Sequence, residues 1–432
     1  FGRKNSGRNN ASKERINKRK RRRIGMTKNS LEKWYSILLP LFPMLILYGF
    51  KALPFLTFSD YFLLFFLMLD VIKRRYRLIY DRAFMPLIVY LVLQPFISLF
   101  FASEGLDFVD AAGTAWKLAL YVLGLAILRK NLQKEYFVKS VRVIGISSTI
   151  YGFLQFFLGT YAHISLSPYL PFLPVLRTGL KEQQDGWIAY NWTVRPRAWF
   201  SEPSTFAIFL LMALLIELFV VQRDKRRNVR CMIYAFGIII SHSSTGTVGL
   251  IVLVLAWMVL CPEDFLYRIP KKIIIGIIFL LPICGYLLYK SGYVDSFIGH
   301  TFANGQGLSS QSHFIDIQAA MSENTSALQV LFGKGMQDVE AGYLPGWIRT
   351  YYCLGVVGVV LYIVGFYRIA KNCSRRVRII VLTFVGLNFG TEIMLGVFML
   401  LYMSAALMQD DSCEDKWNEN YAGCLHNKDV TL

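Results

Sequence analysis

The sequence predicts an all-α fold, a polytopic membrane bundle of about twelve transmembrane helices with two large outer loops. Three observations carry this prediction. Of the 432 residues, 55% are hydrophobic and only 17% are charged. The apolar residues gather into runs of about 17 to 22, the length that a helix needs to cross roughly 30 Å of hydrocarbon. The Lys and Arg residues cluster between these runs, as they do in the cytoplasmic connections of membrane proteins.

The predicted spans follow one another along residues 34–408, which we treat as one transmembrane domain. They are placed at 34–50, 55–72, 84–101, 110–128, 143–161, 203–221, 231–241, 246–261, 273–289, 351–369, 378–390 and 392–408. The segments 231–241 and 378–390 are shorter than a full crossing requires.

Basic residues indicate which side of the membrane each connection faces. They recur at 73–77, 129–134, 222–230, 268–272 and 371–378. Because connections rich in Lys and Arg stay on the cytoplasmic side, this alternation predicts a multi-pass protein with both termini in the cytoplasm. Two connections on the outer side are long enough to build a site, about 162–201 and 291–350.

The two ends of the chain are predicted to be cytoplasmic segments outside the bundle. The N-terminal segment 1–33 carries thirteen Lys or Arg residues and two Glu between Arg3 and Lys33, in a chain of formal charge +19. Since its basic residues do not form a foldable face, an anionic membrane surface is favoured over a nucleic acid as its partner. The tail at 409–432 is acidic and predicted to be solvated.

Several kinds of chemistry leave no pattern in the sequence. The seven cysteines fall within predicted spans or on the predicted inner side, so no disulfide framework is expected. No Cys and His cluster has the spacing of metal ligands, and no Gly-rich loop of the GxxxxGK type occurs. We therefore expect that the protein uses neither a metal, nor a cofactor, nor ATP.

The segment RPRAWFSEPSTF, which begins at Arg195, places charge at the start of a predicted span. Arg195 and Arg197 are two residues apart in a segment that we expect to be extended, so both guanidinium groups could grip one phosphate-like group. In a purely structural alternative, Ser201 caps the helix, Pro203 starts it, Glu202 complements the helix dipole and the arginines meet lipid headgroups. Because charge at the end of a span is costly unless it faces a polar cavity, we favour the functional interpretation.

The turn SHSSTGTVG at 241–249 also has two interpretations. Small and hydroxyl-bearing residues let two helices approach closely and satisfy the backbone of a tight turn. Alternatively, Ser243, Ser244 and Thr245 line a polar cavity beneath the two arginines, together with the neighbouring Ser241 and His242. The sequence leaves both interpretations open.

Four segments, in their order and spacing, resemble those of one enzyme family. They are RPRAWFSEPSTFAIFL from Arg195, SHSSTGTVGLIVL at 241–253, LFGKGM at 331–336 and TYYCLGVVGVVLYI at 350–363. They resemble, in turn, an arginine, aromatic and Glu-Pro-Ser segment, a hydroxyl-rich turn, the Gly-x-Gly that closes a large outer loop, and the G-x-x-G helix after it. Over most of residues 36–408, the chain resembles the O-antigen polymerase and O-antigen ligase family of bacterial polysaccharide enzymes.

The resemblance implies a metal-independent, inverting glycosyl transfer at the outer face of the bacterial cytoplasmic membrane. A polyprenyl (undecaprenyl) diphosphate carries a glycan for O-antigen, capsule or exopolysaccharide synthesis, and an acceptor hydroxyl displaces the lipid diphosphate. It implies that Arg195 and Arg197 hold the diphosphate, and that Glu202 or His313 takes the acceptor proton. The implied partners are the lipid-linked oligosaccharide, membrane lipids and other assembly proteins such as a chain-length regulator.

The chain departs from the family pattern in two places. Ser312 and His313 stand where the family usually has an arginine before its Gly-x-Gly. Leu344 and Pro345 stand where ligases carry a histidine, which favours a polymerase over a ligase. A transporter or a flippase for lipid-linked oligosaccharides is the remaining alternative, but the two halves of the chain lack the similarity that transporters often show.

Overall fold

The fold is known from a computed structural model, which describes most of the predicted membrane domain. The described residues are 30–50, 56–73, 84–101, 108–128, 131–176, 188–189, 193–222, 224–260, 317–318, 320, 326–336, 344–374, 377–391 and 396–408. They are mostly helical. The predicted span at 273–289, the two chain ends and His313 lie outside the described residues.

The longer helices overlap the predicted spans in the first half of the chain, although one of them begins at Lys134 rather than at the predicted 143. Residues 30–38 form α1, and the later helices are α2 (Phe42–Leu45), α3 (Phe58–Lys73), α4 (Met85–Phe101), α5 (Phe108–Leu128), α6 (Lys134–Tyr161), α7 (Pro203–Leu215), α8 (Arg227–Ile240), α9 (Ser244–Leu260), α10 (Ala327–Phe332), α11 (Gly346–Asn372), α12 (Arg378–Leu387) and α13 (Val397–Leu407). Two strands of two residues each, β1 (Ile188–Ala189) and β2 (Thr193–Val194), pair antiparallel.

Four of the described helices are long and apolar enough to cross a membrane. They are Phe108–Leu128, Lys134–Tyr161, Pro203–Val220 and Gly346–Lys371. Four shorter apolar helices accompany them, at Met85–Phe100, Ser244–Leu260, Arg378–Leu387 and Val397–Leu407. This composition indicates an all-α membrane protein, whereas the predicted count of about twelve spans is not confirmed.

The first predicted span is not one continuous helix. The helix at 30–38 passes into a 3₁₀ turn at Leu39–Leu41 and the short α2, each of which has a proline, Pro40 or Pro43, in its first turn. Proline lacks the N–H that would continue the preceding turn and its ring clashes with that turn. The prediction of a helix over 34–50 is therefore wrong beyond Leu45, where the chain turns and Tyr48 forms a bridge with Val175.

The helix α7 forms the centre of the bundle. Its side chains from Phe206 to Leu215 are all buried. Glycines let the two following helices approach it closely, since a Cβ on Gly237 would lie 2.5 Å from Leu210 and one on Gly246 would lie 2.5 Å from Ala207. Because α7 follows the arginine segment directly, this packing fixes the segment in place.

The helix α11 is broken at Gly355, which has φ 64° and ψ −170°. The chain around Gly333, with φ 81°, packs against the break. A Cβ at Gly355 would collide with the Leu331 carbonyl group, and a Cβ at Gly333 would collide with the Cys353 carbonyl group. The contact therefore requires glycine at both positions.

Hydrogen bonds from two elements, the LFGKGM segment and α4, satisfy the backbone at this break. The N–H of Lys334 donates to the Tyr352 carbonyl at 2.8 Å, and the N–H of Gly335 donates to the Cys353 carbonyl at 3.2 Å. From α4, Gln94 Nε2 donates to the Cys353 carbonyl at 3.0 Å and the Tyr90 hydroxyl lies 2.6 Å from the Leu354 carbonyl. A break inside an apolar bundle needs such partners. The LFGKGM segment and the helix of the G-x-x-G motif thus form one unit.

An ion-pair cluster joins α6, α7 and α8 at the end of the bundle where the basic connections lie. Glu217 sits in a π-helical turn, Ile216–Val220, that continues α7, and it is 1% exposed. Its carboxylate accepts hydrogen bonds from Arg142 Nε at 2.6 Å and from Arg230 Nε at 2.8 Å. Arg230 also bonds Asp224 at 2.8 Å. The cluster pairs two cations with two carboxylates and ties the three helices together.

The segments predicted to be outside meet at the opposite end, which we call the outer end. It comprises residues 46–49, 160–176, 193–202, 241–245, 344–347 and 388–391. Backbone hydrogen bonds join 46–49 to 160–176, as in Leu176 N to Leu47 O at 3.0 Å, and 344–347 to 388–391, as in Gly346 N to Thr391 O at 2.8 Å. The side of the membrane that each end faces stays a prediction.

Candidate functional site

The arginine segment bends sharply just before α7 begins. Ala198 lies in the left-handed region with φ 50°, an unusual conformation for a residue with a side chain. Gln155 of α6 holds it through both backbone groups, with its Oε1 accepting from Ala198 N at 2.8 Å and its Nε2 donating to Ala198 O at 3.3 Å. This clamp sets the direction in which the adjacent Arg197 side chain leaves the backbone.

The start of α7 is capped differently from the structural alternative raised by the sequence. Glu202, not Ser201, occupies the N-cap position, with extended backbone angles, and Pro203 follows as the first helical residue. Thr205 Oγ1 accepts the Glu202 N–H at 3.0 Å. The Glu202 side chain is exposed and its carboxylate accepts the Ser204 hydroxyl at 2.9 Å. The carboxylate of the base candidate is thus open to solvent at the outer end.

Arg197 is a buried cation, with 4% of its surface exposed. Its Nη1 donates to the Ser201 carbonyl at 2.6 Å, and its guanidinium lies over the Tyr169 ring, 5.4 Å from the centroid. Its Nη2 is buried and has no hydrogen-bond partner among the described residues. No ion pair within the described ranges joins Arg197 to a carboxylate. A buried charge without a counter-charge is costly, so this arrangement suits an anionic ligand.

Arg195 has different neighbours. Its Nη2 donates to the His242 carbonyl at 3.2 Å, in the turn between α8 and α9. His242 is buried with φ 51°, and its ring lies 5.8 Å from the Phe156 ring. Arg195 therefore ties the arginine segment to the SHSSTGTVG turn, while Arg197 faces Tyr169.

Hydroxyl groups of the SHSSTGTVG turn serve the turn itself. Ser241 Oγ donates to the Ile238 carbonyl at 2.6 Å, and Ser243 Oγ accepts the Gly246 N–H at 3.1 Å as α9 begins. Ser244 and Thr245 are half-buried, and Thr245 Oγ1 lies beside the Gly390 turn. These contacts favour the packing interpretation for Ser243, and they leave Ser244 and Thr245 at the outer end as predicted binding residues.

The first outer loop supplies an aromatic wall beside Arg197. Its backbone is fixed by two phenols, since Leu170 N donates to Tyr48 Oη at 2.8 Å and the Tyr151 hydroxyl donates to the Ser167 carbonyl at 2.5 Å. The Tyr169 hydroxyl is buried and has no hydrogen-bond partner in the part of the chain that the structure describes. Sequence reasoning missed Tyr48 and Tyr169, because the first was assigned to a helix and the second lies in a loop without a motif.

Comparisons with known proteins do not identify the chain. No family model matches it, and a search of the curated proteins finds no matching relative. Among the described residues, no group of three or more His, Cys, Asp or Glu side chains is arranged to hold a metal ion. The candidate site therefore rests on its own geometry.

Proposed function

We propose that the protein is a polysaccharide repeat-unit polymerase in the bacterial cytoplasmic membrane, with both termini in the cytoplasm. It transfers a growing glycan from a polyprenyl diphosphate carrier to an acceptor sugar hydroxyl at the outer face. The observation that supports this most is Arg197, a buried cation with no carboxylate partner among the described residues, at the end where the predicted outer segments meet. The order of the four family-like segments adds independent support.

The proposed chemistry needs charge stabilisation at the leaving group. The acceptor oxygen attacks the anomeric carbon, the bond from that carbon to the phosphate oxygen breaks, and the electron pair leaves on the lipid diphosphate. Arg197 stabilises the charge that develops there, because a guanidinium is always protonated and matches the geometry of phosphate oxygens. The acceptor proton passes to a base, for which Glu202 and His313 remain the candidates.

Arg195 takes part in a different way. Its bond to the His242 carbonyl holds the turn that precedes Ser244 and Thr245 against the arginine segment. We propose that the Arg195 guanidinium and these two residues border the diphosphate, with Ser243 in a supporting position at the start of α9. The exposed Glu202 carboxylate can meet an acceptor that arrives from the outer side.

The broken helix α11 does not favour a transporter over a polymerase. Transporters use unwound backbone carbonyls within broken helices to coordinate ions. Here the carbonyls of Tyr352, Cys353 and Leu354 already accept hydrogen bonds from neighbouring groups. The break therefore supports a docking role for the LFGKGM segment rather than an ion site.

The glycan profile of cells that lack the protein tests the proposal. A polymerase mutant retains acceptors that carry a single repeat unit and loses the longer chains. A ligase mutant loses all attached glycan, and a flippase mutant accumulates lipid-linked repeats on the cytoplasmic side. Restoration of long chains by the wild-type gene is the control, and in membranes the transfer should persist in the presence of a strong chelator.

A further inference from the structure

Three hydrogen-bond donors around Arg197 lack acceptors among the described residues. The first is Arg197 Nη2, and the second is the Tyr169 hydroxyl, both buried. The third is the Tyr48 hydroxyl, which accepts the Leu170 N–H at 2.8 Å but donates to no described group. Buried polar groups in native proteins are nearly always paired, so these three donors, on Arg197 and two tyrosines, indicate an acceptor that the described residues do not supply.

The first outer loop and the bundle hold these donors in place without accepting hydrogen bonds from them. The Tyr169 backbone N–H donates to Ser167 Oγ at 3.3 Å, and this bond holds the loop without using the Tyr169 hydroxyl. The Tyr48 side chain is fully buried between the first outer loop and the bundle. The Arg197 guanidinium lies over the Tyr169 ring, so the ring also fixes the position of the cation.

We infer that the Tyr169 and Tyr48 hydroxyls complete an oxyanion site with Arg197, and that its ligand is a diphosphate group. The site consists of donors only, so the ligand must present several acceptor oxygens and negative charge. Phenol and guanidinium donors satisfy such oxygens without a metal ion. The identity of the ligand rests on the proposed function, whereas the donor-only character of the site does not.

Tyr169→Phe is the decisive variant, because it keeps the ring beneath Arg197 and removes only the hydroxyl. We would measure equilibrium binding of farnesyl diphosphate to the purified full-length chain in nanodiscs of zwitterionic lipid. We expect about tenfold weaker binding, as for the loss of one hydrogen bond to a charged group. Tyr367→Phe is the matched control, since Tyr367 is 65% exposed near the end of α11 and takes no part in the site, so its binding should be unchanged.

Competing ligands distinguish the sources of the diphosphate. Farnesol, which lacks the anion, should not compete. Competition by farnesyl diphosphate alone would support a lipid carrier, whereas equal competition by inorganic pyrophosphate would support a free diphosphate at the same donors. Nitration of Tyr169 in the wild-type chain, mapped by mass spectrometry, gives a second measurement that needs no variant. Farnesyl diphosphate should slow it and farnesol should not.

The outcomes separate this inference from the proposed function. If Tyr169→Phe binds like wild type while Arg197→Lys binds weakly, and the ligand leaves nitration unchanged, the phenol lies outside the site and only this inference fails. If wild type does not bind farnesyl diphosphate, the oxyanion site and its role in the proposed reaction both fail. If Tyr169→Phe binds weakly but Arg197→Ala cells still make full-length glycan, the site stands and the proposed function fails.

Discussion

The Arg197 guanidinium lies over the Tyr169 ring, 5.4 Å from its centroid, although the two residues lie towards opposite ends of the first outer loop, 162–201. A stacked arrangement of this kind keeps a cation in place without neutralising it. No carboxylate in the described part of the chain pairs with Arg197, so its buried charge is available to an anion.

The orientation of the chain is the first property to test. Reporters fused after Arg129 and after Arg226 should lie in the cytoplasm, because both residues lie in connections rich in Lys and Arg. A reporter placed within 300–340 should lie outside. Protease and thiol accessibility in intact cells measure this, and a cytoplasmic signal from 300–340 would overturn the assignment of the outer end.

The contact between Gly333 and Gly355 predicts a strong effect on stability. Gly355→Ala should destabilise the protein by at least about 2 kcal/mol, because a Cβ there is strained by the positive φ and collides with the Leu331 carbonyl. Gly113→Ala is the control, since nothing lies within 4 Å of a Cβ at that position. Thermal unfolding in detergent compares them, and equal unfolding temperatures would mean that the break is not as described.

Glu217 is predicted to be essential for folding at the basic end. Glu217→Gln leaves the half-buried Arg142 and the buried Arg230 without their shared counter-charge, and breaking a buried ion pair costs about 3–5 kcal/mol. Glu135→Gln, at an exposed position in the first turn of α6, should be close to neutral. The yield of monodisperse protein after detergent extraction reports the difference. Normal yield from Glu217→Gln would show that the cluster contributes little.

Asp224 gives the same cluster a small pH dependence. The hydrogen bond from Arg230 holds the pKa of the Asp224 carboxyl below its ordinary value of 3.8. The stabilisation is therefore fully present above the ordinary pKa and is lost as the pH falls through the lowered one. Asp224→Asn should reduce the dependence of the unfolding temperature on pH below about pH 4. The effect should be modest because the Asp224 side chain is 47% exposed. An unchanged pH profile in the variant would show that Asp224 does not stabilise the cluster.

Much of the helical fold was predictable from apolar runs, and its exceptions have physical causes. The prediction of 84–101 agrees closely with Met85–Phe101. The first span failed because Pro40 and Pro43 interrupt it. The break at Gly355 could not be predicted, because its positive φ is required only by the approach of Gly333 from a separate segment.

The candidate site was predictable only in part for the same reason. Arg197 attracts notice in the sequence because charge at the end of an apolar run is unusual. Tyr48 and Tyr169 carry no such signal, since they come from separate segments and acquire their positions through tertiary contacts. His313 lies outside the described residues, so its role as a base stays a prediction.

The central claim is that Arg197 binds the diphosphate that leaves during polymerisation. The most direct test is the chain-length distribution of surface glycan in cells that make Arg197→Lys or Arg197→Ala at the wild-type protein level. Lysine keeps the charge but loses the planar fork, so we expect polymerisation to fall by at least about tenfold, or roughly 1.4 kcal/mol of transition-state stabilisation, and alanine to reduce it further. Single repeat units should then replace long chains, whereas full-length chains from both variants would contradict the claim.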